Sequence, residues 1–253
     1  MGKRSFKSDK TGQVIIVTAL VVSLLFLSTA LYVIEVGKEV PTVEPSQSNV
    51  FSGYRQSTTS TMVSALANAT GGSNPNILET DLAELKTVIL ANSYQAMLTM
   101  SYSTLNSYGY QNGLLISWGA NGQGVSSACA TFVFACSSLS TNSNMDYALN
   151  VTSAVYSNGN CRQVNNATKQ VSLTINVLNE GKAALAQNFT FSYRNGTNWI
   201  QVDSPSVTSF GDGSYTLTFN AEQSPPSDPM VVSLLCQDQR GIFVGANLTC
   251  SSK

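Results

Sequence analysis

One long apolar run dominates the hydrophobic pattern near the start of the chain. It extends from Val14 to Ile34 without a charge, and as a helix it would be about 31 Å long, which matches the hydrocarbon core of a bilayer. We therefore predict a transmembrane helix over residues 13–35. The preceding tail, residues 1–12, is basic, so the positive-inside rule leaves it in the cytoplasm and places the rest of the chain outside.

Helical periodicity follows a short linker. Residues 36–49 contain Pro41 and Pro45 and are expected to form an extended juxtamembrane linker. Residues 50–105 are expected to form a helical hairpin whose first helix covers 51–70. The second helix is expected to begin after Asn76, with Glu79 completing a capping pair, and its apolar face continues weakly through Ala96 and Met100.

Alternation with a period of two replaces the helical pattern after Gly109. Residues 106–165 are expected to form a β-rich intermediate region with short strands at 114–118, 130–135 and 147–156. Residues 166–253 are expected to form a β-sandwich-like domain. Its apolar positions alternate with polar ones in four segments: Val171, Leu173, Ile175 and Val177; Phe189, Phe191 and Tyr193; Tyr215, Leu217 and Phe219; Ile242, Val244, Ala246 and Leu248. The predicted fold class is α+β, with an antiparallel, immunoglobulin-like β-sandwich.

Three fates of the apolar run are open. The run can stay as an uncleaved anchor, which we favour, or it can act as a signal peptide cut after Ala30. In the third fate, the segment Lys10-Thr11-Gly12-Gln13 directly before the run resembles the class III leader of archaeal type IV pilin-like proteins. That resemblance implies processing between Gly12 and Gln13 and retention of the helix as an assembly element.

A second resemblance concerns the strands after residue 170. Residues 173–183, followed by Phe189-Thr190-Phe191, resemble the start of CARDB-like and fibronectin-III-like modules of prokaryotic surface proteins. In those modules an alternating strand runs into an N-x-G turn and a second strand returns. The resemblance implies an adhesive or spacer module.

The amino-acid composition limits which catalytic and metal-binding sites the chain can form. The 253 residues include 13 Lys and Arg, 14 Asp and Glu, and no histidine. Histidine-dependent catalysis and histidine-ligated zinc are therefore excluded, and the net charge of -1 does not favour nucleic-acid binding. We find no phosphate-binding or nucleophile-elbow motif, and we expect no cofactor and no metal. The glycine-rich segment 119–124 is expected to be a flexible loop.

Five cysteines lie on the predicted outer side, where an oxidising environment favours disulfides. We expect Cys161 to pair with Cys129 or Cys136, and Cys236 to pair with Cys250, which leaves one thiol free or bonded between chains. A small buried side chain is the rival interpretation for Cys236.

Six Asn-x-Ser/Thr sequons could carry glycans: Asn68, Asn150, Asn166, Asn188, Asn195 and Asn247. The acids of the β-region are expected to be solvated loop charges: Asp203, Asp212, Glu222, Asp228 and Asp238. The sequence therefore favours a non-enzymatic, single-pass surface protein with a structural, adhesive or assembly role. Its expected partners are the lipid bilayer and other surface proteins, glycans or copies of itself. A pilin-like subunit is the first alternative, and an anchored hydrolase that uses carboxylates is the second.

Overall fold

The structure is a computed structural model that describes residues 47–93, 97–137, 142–222 and 229–250. These residues form two helices, α1 (Gln47–Thr70) and α2 (Ile77–Ala91), and twelve strands. The strands are β1 (Met97–Thr104), β2 (Leu114–Trp118), β3 (Gln123–Ser137), β4 (Asn142–Asn165), β5 (Thr168–Asn179), β6 (Lys182–Ala183), β7 (Ala186–Asn195), β8 (Asn198–Gln201), β9 (Ser206–Ser209), β10 (Ser214–Glu222), β11 (Met230–Asp238) and β12 (Phe243–Cys250).

Helix α1 contains the Ser/Thr run 57–61, which has a weak intrinsic preference for helix. The Thr58 hydroxyl donates a hydrogen bond to the Arg55 carbonyl oxygen (2.9 Å). It also lies 2.7 Å from the Tyr147 hydroxyl of β4. Tertiary contact therefore stabilises the helix where propensity does not. Because α1 begins at Gln47, the last three residues of the predicted linker are helical.

Helix α2 begins directly after Asn76, as predicted, but its predicted capping contacts and its predicted end are wrong. Asn76 makes no side-chain capping bond; its Oδ1 atom accepts a hydrogen bond from Asn112 instead. Glu79 accepts a hydrogen bond from Thr104 (3.0 Å) and does not complete a capping pair. The helix ends at Ala91, and the prediction of helix through Met100 and up to residue 105 is wrong because Met97–Thr104 pairs along its whole length with β3.

The strands form two antiparallel sheets, which confirms the predicted β-structure and is consistent with a β-sandwich. The larger sheet has the order β1-β3-β4-β5-β10-β9, with β2 beside β3 and β6 beside β5; the smaller has the order β12-β11-β7-β8. The predicted strand 114–118 matches β2, and the other two short strands lie within the longer β3 and β4. The boundary expected at residues 165 and 166 falls in the hairpin between β4 and β5, which are neighbours in one sheet.

Two apolar clusters fill the space on the inner face of the larger sheet. One cluster lies between the two sheets and includes nearly all of the predicted alternating apolar positions. There are two exceptions: Phe189 is only partly buried, and Ile242 belongs to the second cluster. The second cluster lies between the helices and strands β1–β4, with Phe132 and Phe134 fully buried. Each such side chain contributes about 1.5–3 kcal/mol through removal from water.

The glycine-rich segment 119–124 is a packed junction and not a flexible loop. Backbone hydrogen bonds join it to β12: Gly122 N–H donates to the Asn247 oxygen (2.8 Å), and Asn247 N–H donates to the Gly119 oxygen (2.9 Å). A Cβ atom on Gly124 would lie 1.7 Å from the Gly245 carbonyl oxygen. Glycine is therefore required where β3 and β12 approach each other.

Within the described residues, no helix is both long and apolar enough to cross a membrane. The run from Val14 to Ile34 lies outside those residues, as do the predicted tail and most of the linker.

We expect Gly124→Ala to lower the free energy of unfolding by about 1–3 kcal/mol, because the added methyl group must displace backbone. Gly53→Ala is the matched control, since Gly53 is exposed in α1 with open space around its Cα, and it should stabilise the protein by about 0.5–1 kcal/mol. Chemical denaturation measures both values. Equal stability of the two variants would contradict the tight junction.

Candidate functional site

One disulfide joins the two sheets. Cys161 of β4 is bonded to Cys250 of β12, with a Cα–Cα distance of 5.7 Å. Both preferred pairings from the sequence are therefore wrong. Cys129 and Cys136 of β3 lie opposite Asn150 and Ser143, which are 11 and 18 residues before Cys161 along β4, or about 36 Å or more.

The second predicted pair fails for the same reason. Cys250 lies opposite Met230 at one end of β11. Cys236 lies six positions further along β11, opposite Val244. Register along paired strands, which is not visible in cysteine spacing, decides which sulfur atoms meet.

Cys129, Cys136 and Cys236 carry free thiols. Cys236 is fully buried in the core between the sheets, so it is the small buried side chain of the rival interpretation. Burial, together with the negative charge of Asp238, raises the pKa of the Cys236 thiol to about 12. Burial also raises the pKa of Cys129. These two thiols therefore stay protonated and are poor nucleophiles near neutral pH.

A charged cluster fixes one end of the sandwich. Asp238 is fully buried and accepts hydrogen bonds from Arg240 Nε (2.9 Å) and from the backbone N–H of Ile242 (3.0 Å). The same guanidinium donates to Glu180 Oε1 (2.7 Å) and to the Thr152 carbonyl oxygen (2.9 Å). Arg240 thus links the β11–β12 turn of one sheet to β4 and the β5–β6 turn of the other.

This cluster corrects the prediction that Asp238 is a solvated loop charge. Asp212 is an exposed turn former, because it accepts hydrogen bonds from the Ser214 hydroxyl and backbone N–H, which hold the pKa of the Asp212 carboxyl below its usual value. Asp228 lies outside the described residues. The spacing of Asp238 and Arg240 in the sequence does not predict that Asp238 is buried, because Asp-x-Arg-Gly is also a common solvated turn.

A groove of about 360 Å³ lies at the side of the sandwich where β8 and the end of β10 meet. Tyr193 and Phe219 form its aromatic floor, with ring centroids 6.2 Å apart. Asp203 and Glu222 line the same groove, together with Ile200 and Val202. Its lining among the described residues contains acids, amides and no basic side chain, so it would suit a hydroxyl-rich or cationic group more than an anion.

The predicted modification sites are distributed over the surface and do not converge. Four sequon asparagines are exposed: Asn68, Asn150, Asn166 and Asn188. The other two, Asn195 and Asn247, are partly buried. Two of the exposed side chains are held by neighbours, since Asn150 Oδ1 accepts from Ser127 (2.7 Å) and Asn188 Nδ2 donates to Gln237 (2.7 Å). The processing candidates Gly12 and Gln13 lie outside the described residues.

In the part of the chain that the structure describes, no three cysteine or acidic side chains group closely enough to hold a metal ion. The groove between β8 and β10 and the Arg240 cluster were both missed by sequence reasoning. Their residues come from strands that are distant in the chain, and no local motif marks them.

We expect Cys250→Ser to lower the free energy of unfolding by about 2–5 kcal/mol, because the disulfide closes a loop with a sequence separation of 89 residues. Cys161→Ser should have the same effect, and the double variant should be no less stable than either single one. Cys136→Ser is the control, since its thiol is free and partly exposed. Denaturation under non-reducing conditions measures these values; a stability loss only for Cys136→Ser would contradict the pairing.

The stability contributed by the neutral Cys236 thiol should be complete below pH 9 and should be lost as the pH rises towards 12. Above the ordinary pKa of 9.0 the unfolded state releases its proton while the folded state retains it. Unfolding free energies of the wild type and of Cys236→Ala, compared from pH 8 to 10.5, test this. The wild type should lose stability more steeply, and parallel curves would show that the thiol is not held neutral.

Comparison of the chain with models of known families, with curated proteins and with solved structures gave no match.

Proposed function

We propose that the chain is a single-pass, membrane-anchored surface protein whose extracytoplasmic part has a structural, adhesive or assembly role. The observation that carries the proposal is the disulfide between Cys161 and Cys250. Such bonds form and persist in oxidising, extracytoplasmic compartments. The apolar run from Val14 to Ile34, with its basic tail, provides the anchor in this proposal.

Three of the described acids are engaged in contacts that hold the fold, which supports a structural role. Asp238 and Glu180 are engaged by Arg240 between the sheets, and Asp212 is engaged by its own turn. In the proposal, the sandwich is an immunoglobulin-like module, and its uncharged, hydroxyl-rich surface faces solvent or a partner. The exposed sequons Asn68, Asn150 and Asn166 would carry glycans without displacing core side chains.

The second candidate is a type IV pilin-like subunit, processed after Gly12. The observation that favours it is the packing of α1, whose apolar face lies on the β-structure. In this candidate a helix leads into the β-domain. In this candidate the apolar run would pack against copies of itself.

A carboxylate-dependent hydrolase is the third candidate. The groove that brings Asp203 and Glu222 to one aromatic floor is where its substrate would bind. Turnover of a saccharide or a peptide that disappears in Asp203→Asn and Glu222→Gln would select this candidate over the other two.

Protease added to sealed cells should digest the chain beyond residue 35, and the mature N-terminus should retain Lys3 and Arg4. The basic tail holds the N-terminus inside, so changing its four basic residues to glutamate should invert the orientation and protect the bulk. Mass measurement of the N-terminus separates the candidates, because a chain that begins at Gln13 indicates the pilin-like route. A wild-type chain that stays protected in sealed cells, or that fractionates with the cytosol, would refute the proposal.

A further inference from the structure

Strand β8 is an end strand of the smaller sheet, and among the described residues it pairs only with β7. Its four residues are all exposed, and they include two large apolar side chains: Trp199, with 49% of its surface exposed, and Ile200, with 36%. End strands of natural sheets are usually protected by charged side chains, proline or a bulge. Residues 195–202 contain no charged residue and no proline.

The register of the β7–β8 hairpin shows which backbone groups of β8 point outward. Ile200 lies opposite Tyr193, and the next even-numbered residue, Val202, donates its N–H to the Phe191 oxygen (2.9 Å). Hydrogen-bonded and non-hydrogen-bonded pairs alternate along an antiparallel ladder. Ile200 therefore directs its N–H and C=O towards β7, and those of Trp199 and Gln201 lie at the outer edge of the sheet.

We propose that β8 pairs antiparallel with β8 of a second copy of this chain, about a twofold axis at Ile200. In this register Trp199 of each copy lies opposite Gln201 of the other, so the outward N–H and C=O groups of both residues are all bonded. The two Ile200 side chains face each other in the central, non-hydrogen-bonded pair, where side chains are closest. The two small sheets then form one continuous sheet.

The chemistry of the edge selects a second copy as the partner. The outward N–H and C=O groups of β8, which no described strand pairs, require an extended strand, and a twofold axis brings the same patch together on both subunits. Because β8 carries no charge, self-pairing opposes no like charges, and isoleucine meets isoleucine. Pairing shifted by one residue would turn the apolar side chains to opposite faces, and a shift by two would leave outward groups of Gln201 or Trp199 unpaired within β8.

Exposed apolar side chains on β8 itself add area to the contact. Trp199 and Ile200 are both exposed, and both would lose accessible surface in the paired strand. Their burial would add to backbone hydrogen bonds that four residues of strand alone could not make into a stable contact. The inference deepens the assembly role proposed above by naming the partner and the register.

A charge-swap experiment on the full-length chain in detergent tests the axis at Ile200. The wild type should form dimers that dissociate on dilution, whereas Ile200→Lys and Ile200→Glu should each be monomeric, because like charges would face each other across the axis. An equimolar mixture of the two variants should regain the dimer, which a folding defect could not produce. Val164→Lys, a charge at an exposed apolar strand position away from β8, should leave dimerisation unchanged.

Light scattering across a concentration series gives the readout. A monomeric wild type, a dimer that Ile200→Lys leaves intact, or a mixture that stays monomeric would each overturn the proposal. The topology experiment above does not depend on dimerisation, so failure of this inference is distinguishable from failure of the proposed function.

Cysteine cross-linking tests the register separately. In a background with Cys129 and Cys136 changed to serine, Ile200→Cys should oxidise to a covalent dimer, because the two residues lie directly opposite each other. Gln201→Cys should not, since its partner is Trp199. Cross-linking of both variants to the same extent would show non-specific collision and would contradict the twofold register.

Discussion

The architecture depends on one constraint, which is that the inner face of the larger sheet must be covered along its whole length. Strand β4 shows how two different layers meet this need. Its first half contributes Tyr147 and Val151 to the cluster under the helices, and its second half contributes Val155 and Cys161 to the cluster between the sheets. An antiparallel sheet with one apolar face is stable only when that face is packed against another layer. The helices and the smaller sheet therefore together cover one apolar sheet face.

Three charged residues of the described chain, Arg240, Asp238 and Glu180, lie where the two sheets are held in register. Arg240 satisfies three acceptors on two sheets, and two of them are carboxylates, one fully buried. A buried carboxylate is costly unless it is paired and hydrogen-bonded, and Asp238 meets both conditions. Loss of Arg240 would leave that charge uncompensated, so the cluster specifies how the turn after β11 sits against β4.

Local patterns of apolar and polar residues are sufficient to predict the main strands of the sandwich. Val171 to Val177 and Tyr215 to Phe219 alternate with polar residues, and each set is buried because a pleated strand places alternate side chains on one face. The sequence pattern predicts a helix where the structure has β1, because Met100 also fits a helical spacing from Ile89. Only its pairing with β3, about 35 residues further along the chain, decides the conformation.

The same local patterns do not predict the candidate sites. The disulfide partners, the groove beside β8 and the environment of Asp238 all depend on register between strands that are far apart in sequence. A cysteine or an acid carries no local signal of the strand that it will face. Glycine is the partial exception, since the closely spaced glycines of segment 119–124 are a signal of close backbone approach as much as of flexibility.

The position of the disulfide also determines how the chain would respond to mechanical load. Tension applied through α1 and the last described strand passes directly from β4 to β12 through the sulfur atoms, because the bond links Cys161 to Cys250. The polypeptide between them, with a separation of 89 residues and about 300 Å of extended length, is shielded from the pull. A tether built in this way stretches little and keeps most of its smaller sheet folded under force.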